Sequence, residues 1–250
     1  MSGHSKWSSI KHKKGAADAK RGQLFTKLAR AIQVAARDGG PDPNGNPALA
    51  TAVQKAREAS MPKENIERAI AKGAGHDADA EAWETAVYEG YAPGGVAVLV
   101  EALTDNRNRT GAEVRHIFSR SGGSLGEPGS VAWNFEKKGV VLVDAERHDE
   151  DELIVAIDAG ADDLARDENV WEIVTAPSDL QPVRTALEDA GVEVQSADLT
   201  MRPQTKVEVG EEEVARVLRL LEALEDHDDV AAVHANFEAD AATLERLAPA

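Results

Sequence analysis

The period of the apolar residues changes once along this chain, near residue 75, and the change limits the fold to a helical piece followed by a mixed one. Before that point apolar side chains recur only at helical spacing. After it, short β-branched runs alternate with helical stretches, the pattern of layered α/β units. At 250 residues the chain exceeds one typical domain, so two or three are expected.

Gly15 to Arg37 carries Leu24, Leu28, Ile32 and Ala35 on one helical face, and Gly39-Gly40 stops it. Pro41 to Pro47 is a loop of Pro, Asn, Asp and Gly. A second helix, Ala48 to Ala59, presents Leu49, Val53 and Ala56. Pro62 suits the first turn of a third, striped by Ile66 and Ile70 and ended by Gly73. Three helices so short make a small bundle, followed by a linker to Glu81.

Beyond the linker, Val96–Leu103 reads as a buried strand. Thr110 and Glu113 read as a capping box for a helix over Gly111–Ser121. Val131, Trp133 and Phe135 alternate as a strand. Then come strand Val140–Val143, helix Asp149–Ala159 with Leu153, Ala156 and Ile157 inward, a weak strand Ala161–Arg166, and strand Val170–Thr175. Helix Asp179–Ala190, capped by Ser178, and strand Val192–Met201 complete a β-α-β-β-α-β run of the ferredoxin kind. The flanking pieces, ending in strand Thr205–Val209, helix Glu211–Glu225 and strand Val230–Phe237, read as a second such unit, the alternative being one larger mixed sheet. The expected fold class is α+β: an N-terminal three-helix bundle followed by two ferredoxin-like α/β domains, one inserted in the other. The expected domains are a basic helical one over 1–75, a discontinuous one over 82–136 plus 204–240, and an inserted one over 137–203.

Charge is segregated along the chain. Met1 to Arg37 holds nine Lys and Arg against one acid, Asp18, whereas His76 onward holds fourteen basic against thirty-nine acidic residues, a net −25. The whole chain is at −17. A basic arm on an acidic body points to a polyanion met through the arm. The alternative is a solvated tail. Zero Cys excludes a disulfide framework, a thiol nucleophile and Cys-ligated metal. No stretch approaches the ~20 apolar residues of a membrane helix, and no signal peptide is expected. The expected location is the cytoplasm.

The arm interleaves Lys6, Lys11, His12, Lys13, Lys14, Lys20, Arg21 and Lys27 with serines and one aromatic, Trp7. Lysines give point charges for phosphates, and Trp7 is expected to stack on an unpaired base. Thr104-Asp105-Asn106-Arg107-Asn108-Arg109-Thr110 lies between a strand and a helix start. Free amides plus Arg107 and Arg109 there suit a phosphate, or else the arginines pair with local carboxylates. Gly122-Gly123-Ser124-Leu125-Gly126 has the wrong context for a nucleophile elbow, since a helix precedes it and a strand follows. The seven histidines lack metal-ligand spacing, and Asp226-His227-Asp228-Asp229 reads as a solvated turn. No constellation of a catalytic site is legible, so no enzyme, cofactor or small-molecule substrate is expected.

Long stretches of the chain resemble the YebC/PmpR family. They are the opening Met1-Ser2-Gly3-His4-Ser5-Lys6-Trp7 with Lys11-His12-Lys13, Phe25-Thr26-Lys27-Leu28, Asn65 to Ile70, Tyr88-Glu89-Gly90-Tyr91-Ala92-Pro93-Gly94-Gly95 and Thr104 to Thr110. The resemblance implies three domains, no known enzymatic activity, and a transcriptional regulator that binds DNA. It also allows a translation factor that meets ribosomal RNA or tRNA at the ribosome. It carries the contact role to Lys6, Trp7, Lys11, Lys13, Lys14, Lys20, Arg21, Arg107 and Arg109. A different class, a protein–protein adaptor with the arm as a solubility tail, stays open. The oligomeric state is not legible.

Overall fold

The computed structural model describes Gly3, Trp7 and residues 18–75, 83–167 and 169–247. The first part is a bundle of α1 (Asp18–Gly39), α2 (Pro47–Glu58) and α3 (Lys63–Gly73). Asn46 organises its first turn-around. The Asn46 carboxamide oxygen caps α2 by accepting from the Leu49 amide at 3.1 Å, while its NH₂ donates to Ala35 and Gly40 carbonyls at 2.7 and 2.8 Å. Pro47 takes the first helical position, where its missing N–H costs nothing. Ile32, Ala36, Leu49, Val53, Ala56, Met61, Ile66 and Ala69 form the bundle core. α3 closes against α1 at Gly73, where a β-carbon would collide with the Gln33 carbonyl oxygen.

The rest is two antiparallel sheets. In chain order come β1 (Glu84–Ala92), β2 (Val96–Thr104), α4 (Arg107–Arg120) and β3 (Ser124–Leu125). Next are β4 (Phe135–Asp144), α5 (Glu150–Asp158), β5 (Ala161–Asp167), β6 (Val170–Thr175), α6 (Leu180–Asp189) and β7 (Val194–Pro203). β8 (Val207–Glu208), α7 (Glu211–Glu225), β9 (Val230–Ala235), β10 (Phe237–Glu238) and α8 (Ala241–Leu247) finish the chain. The inner sheet runs β5-β6-β4-β7, the ferredoxin order, over a core of Val141, Val143, Leu153, Trp171, Ile173, Val183 and Leu187. The outer sheet runs β3-β1-β2-β9. α4 and α7 cover one of its faces through Val114, Phe118, Val217, Leu221 and Leu224.

The fold is therefore the expected α+β one, a helical N-terminus followed by two two-layer α/β units with one inserted in the other. The insertion leaves the outer unit at Asn134 and returns at Gln204. Asn134, buried, ties the two crossings together. Its carbonyl accepts from Gln204 N–H and its side chain exchanges two bonds with the Thr205 backbone, all between 2.8 and 3.0 Å.

Several local expectations change, among them the Ser178 cap: its hydroxyl donates to the Asp179 carboxylate, and no side chain caps α6. β1 was not anticipated. It supplies a central strand of the outer sheet, which is why that sheet's order departs from the inner one. Helix α4 begins four residues earlier than Gly111. Asn106 is its cap, accepting from Arg109 N–H at 3.1 Å, and Thr110 is buried inside it. Val131 to Phe135 is not a strand: a 3-10 turn over Ala132–Asn134 resets the phase before β4. Ile157 points outward, 44% exposed, while Leu153 and Ala156 are inward as expected.

The loop before β4 is built on one carboxylate. Glu89 of β1 is buried and accepts three amides, Gly129, Val131 and Ala132, each at 2.7 Å. Burial pushes this carboxyl up, but the three amide bonds outweigh it and hold Glu89 below the usual carboxylate range. Glu89→Gln keeps the shape but turns a donor toward at least one amide. We expect it to cost about 2–3 kcal/mol in urea denaturation at neutral pH. Because the folded value is depressed, Glu89 stabilises the protein above the unfolded carboxylate range, and that stability fades as pH falls through the folded value. The wild-type advantage over Glu89→Gln should therefore shrink in acid, and an advantage constant with pH would contradict this account.

Candidate nucleic-acid interface

The N-terminal segment is not simply an arm. Trp7 is 1% exposed and lies in the outer core with Val96, Phe118, Phe237 and Leu244. Gly3 passes so close to β10 that a β-carbon there would come 2.6 Å from the Phe237 ring. The expectation that Trp7 stacks on a base is thus corrected, because an indole this buried has no free face. A bulky aromatic among lysines is here the anchor that fastens the segment to the body. Lys6, Lys11, His12, Lys13 and Lys14 lie outside the described residues. Lys20 falls in the first turn of α1. Arg21 is exposed, with its guanidinium 5.6 Å from the Phe25 ring centre.

Lys27 is engaged in the fold. Its ammonium donates to the Glu225 carbonyl at the C-terminus of α7, where the helix dipole favours a cation. Burial lowers its pKa, against the raising influence of Glu225, Asp226 and Asp228. One turn on, Arg30 donates to the Asp228 carbonyl at 2.6 Å and to the Asp229 carboxylate at 3.0 Å. It also lies over the Trp83 ring at 4.2 Å. Arg37 donates to the Trp83 carbonyl. One face of α1 thereby docks the bundle on the outer unit. Lys55–Asp198 at 2.7 Å and Arg184–Glu58 at 3.1 Å join it to the inner one.

Asp229 is the hub. It is 4% exposed, and its carboxylate takes Arg30 at 3.0 Å, Arg109 at 2.5 Å and the Thr110 hydroxyl at 2.7 Å. Burial raises this carboxyl. The bonds from Thr110 and Arg109, with the charges of Arg109 and Arg30, more than offset that and leave it below the ordinary range. The expected solvated turn over Asp226–Asp229 is corrected accordingly. Arg109 also pairs with Asp105 at 2.9 Å, and Arg107 faces Glu84 at 3.7 Å. Of the two readings for this stretch, pairing with carboxylates of the protein is the one seen. Both arginines stay substantially exposed, at 58% for Arg107 and 43% for Arg109, and can still face an anion. Farther along α4, Arg115, His116 and Arg120 are exposed too, a basic helix surface that charge counting along the chain does not reveal.

Glu113, His227 and Asp229 could geometrically surround a cation, with ligand atoms within 4.8 Å of one another. Their lone pairs are already committed. His227 Nδ1 accepts the Asp229 amide at 3.1 Å, its Nε2 meets Glu113 at 2.8 Å, and two guanidiniums occupy the Asp229 carboxylate. The cluster works as a hydrogen-bonded latch between α4, α7 and α1. Among the described residues, no helix is long and apolar enough to cross a membrane.

Comparison with known proteins covers almost the whole length. The family model for the TACO1/YebC protein N-terminal domain matches residues 5–76, and that for the TACO1/YebC second and third domain matches residues 83–237. A "Probable transcriptional regulatory protein" of Rubrobacter xylanophilus is 56% identical over 95% of this chain and 96% of its own. One of Desulfotalea psychrophila is 54% identical over 99% and 100%. The crystal structure of a conserved hypothetical protein from Aquifex aeolicus superposes with a TM-score of 0.79 at 52% identity. It covers 88% of this chain and 91% of that one.

Proposed function

Since the chain belongs to the TACO1/YebC family, we propose that it is a non-enzymatic cytoplasmic regulator of gene expression that binds DNA through its basic N-terminal segment. The observation that carries this reading is the charge segregation: nine basic residues against one acid up to Arg37, on a body of net −25 from His76. Such a molecule meets a polyanion with its basic end leading. The names of the relatives favour transcription as the process regulated. In this reading residues 1–75 are the contact domain, and 82–136 with 204–240 and 137–203 are the other two. Lys6, Lys11, His12, Lys13, Lys14, Lys20 and Arg21 make the main phosphate contacts, and Arg107 and Arg109 add a second cluster. Lys27 is given to docking. A second reading, ribosomal RNA and translation, is favoured by the exposed indole of Trp133.

The test must respect Trp7. Deleting the first fourteen residues would remove a core side chain along with the lysines, so a loss of binding could mean a loss of folding. Replacing Lys6, Lys11, Lys13 and Lys14 by Gln keeps the anchor. For duplex DNA, log Kd against log salt should flatten by about 0.9 for each phosphate no longer neutralised, roughly 3 to 4 for the set. An unchanged slope would remove the segment from the interface. Crosslinking in cells then separates the two readings. Promoter DNA supports transcription, and recovery mainly of ribosomal RNA replaces it with translation.

A further inference from the structure

The structure buries the aromatic expected to stack and exposes another. Trp133 is 68% exposed, and Tyr91, 39% exposed, stands beside it. The two are coupled through one atom, because the Trp133 indole N–H and the Tyr91 hydroxyl both donate to the Ser130 carbonyl at 3.0 Å. The loop carrying Ser130 and Trp133 is the one held by Glu89 through three amides. The indole therefore sits on a support that does not need ordering when something binds, which lowers the entropy cost of association.

The surrounding surface has a recognisable logic. Residues 87, 89 and 91 of β1 face away from α4 and α7, on the side of the outer sheet where Val131 and Phe135 pack on Ala97 and Leu99. Val87 is 48% exposed on that same side. The result is a partly open face of a four-stranded antiparallel sheet, backed by helices and bearing aromatics, an arrangement on which unpaired bases stack in other proteins. Since both donor hydrogens, N–H and O–H, are used internally on the Ser130 carbonyl, the rings offer chiefly their π-faces. That suits sequence-tolerant stacking and does not suit hydrogen-bond readout. Lys137 is exposed on β4, four residues beyond Trp133 in the chain.

We propose that Trp133, supported by Tyr91, is a stacking platform for an unpaired base of single-stranded nucleic acid. The inference rests on the nucleic-acid reading above and adds a site to it. Trp7, Trp83 and Trp171 are each 7% exposed or less, so acrylamide quenching of tryptophan fluorescence reports almost entirely on Trp133. The probes are an oligoadenylate RNA of about 16 nucleotides, its DNA counterpart and a blunt duplex of the same length. Saturating single strand should shield Trp133 from acrylamide. Trp133→Ala should weaken single-strand binding by roughly 5- to 150-fold, the equivalent of removing one stack, with Trp133→Phe restoring most of it. Duplex affinity should stay unchanged, and an unchanged melting temperature shows that the exposed ring was not needed for folding. Tighter binding of the RNA strand would assign the base to RNA, and tighter binding of the DNA strand to melted DNA. Single-strand binding that survives Trp133→Ala, with quenching unaltered by the probe, overturns the platform and leaves the nucleic-acid reading standing. If the wild type binds none of the probes at low salt, that reading fails, and the platform with it.

Discussion

Replacing Asp229 by asparagine will lower the unfolding free energy by about 2–4 kcal/mol, read from urea denaturation at pH 7. Asparagine fills the same space but removes the charge on which Arg30, Arg109 and Thr110 converge. Arg30, 17% exposed, would be left partly buried without its counter-ion. Arg109, at 43%, would be rescued by water and by Asp105, which keeps the loss from being larger. The effect also has a pH signature. The folded carboxyl is held below its ordinary range, so its contribution is complete above the unfolded value near ~4 and drains away as pH falls through the folded one. Wild type and variant should converge in acid. Coincident denaturation curves at pH 7 would show that the hub does not bind the bundle to the body.

Trp7→Ala should be at least as damaging, about 3–5 kcal/mol, because it empties a fully buried site in the largest core. For a chain of this size the melting temperature should fall by roughly 10 °C or more. Trp7→Phe, which refills much of the volume, should recover a good part of the loss. Calorimetry distinguishes this from a role in binding. A Trp7→Ala protein that melts like wild type yet loses affinity for single strands would restore the indole to the interface.

The bundle and the inner sheet were legible because each is contiguous and follows its own period. Val170–Thr175 and the stripe Leu49, Val53, Ala56 need no distant partner to be recognised. β1 was not legible. Glu89, a charge at a buried position, breaks the alternation, and its justification lies about forty residues on in three loop amides. Trp133 was misplaced for a related reason. Spacing put it on the same face as Val131 and Phe135, but the 3-10 turn between them rotates it outward. The lysines declared themselves through charge alone, whereas the burial of Trp7 depends on residues as distant as Leu244. Asp229 sat in an acidic run that looked solvated. Its partners, Arg30 and Arg109, are 199 and 120 residues away, beyond anything spacing can report.

The sharing of one core by Trp7 and Leu244 fixes an order of events during synthesis. The bundle and the inner sheet involve only nearby residues and can close while translation continues, as local contacts form fastest. The outer core needs β1 and β2, then α7, and finally the last helix. It must wait until the residues around Leu244 have left the ribosome. Trp7 is therefore fastened only after Leu244 has been made, long after the bundle that follows it in the chain can close.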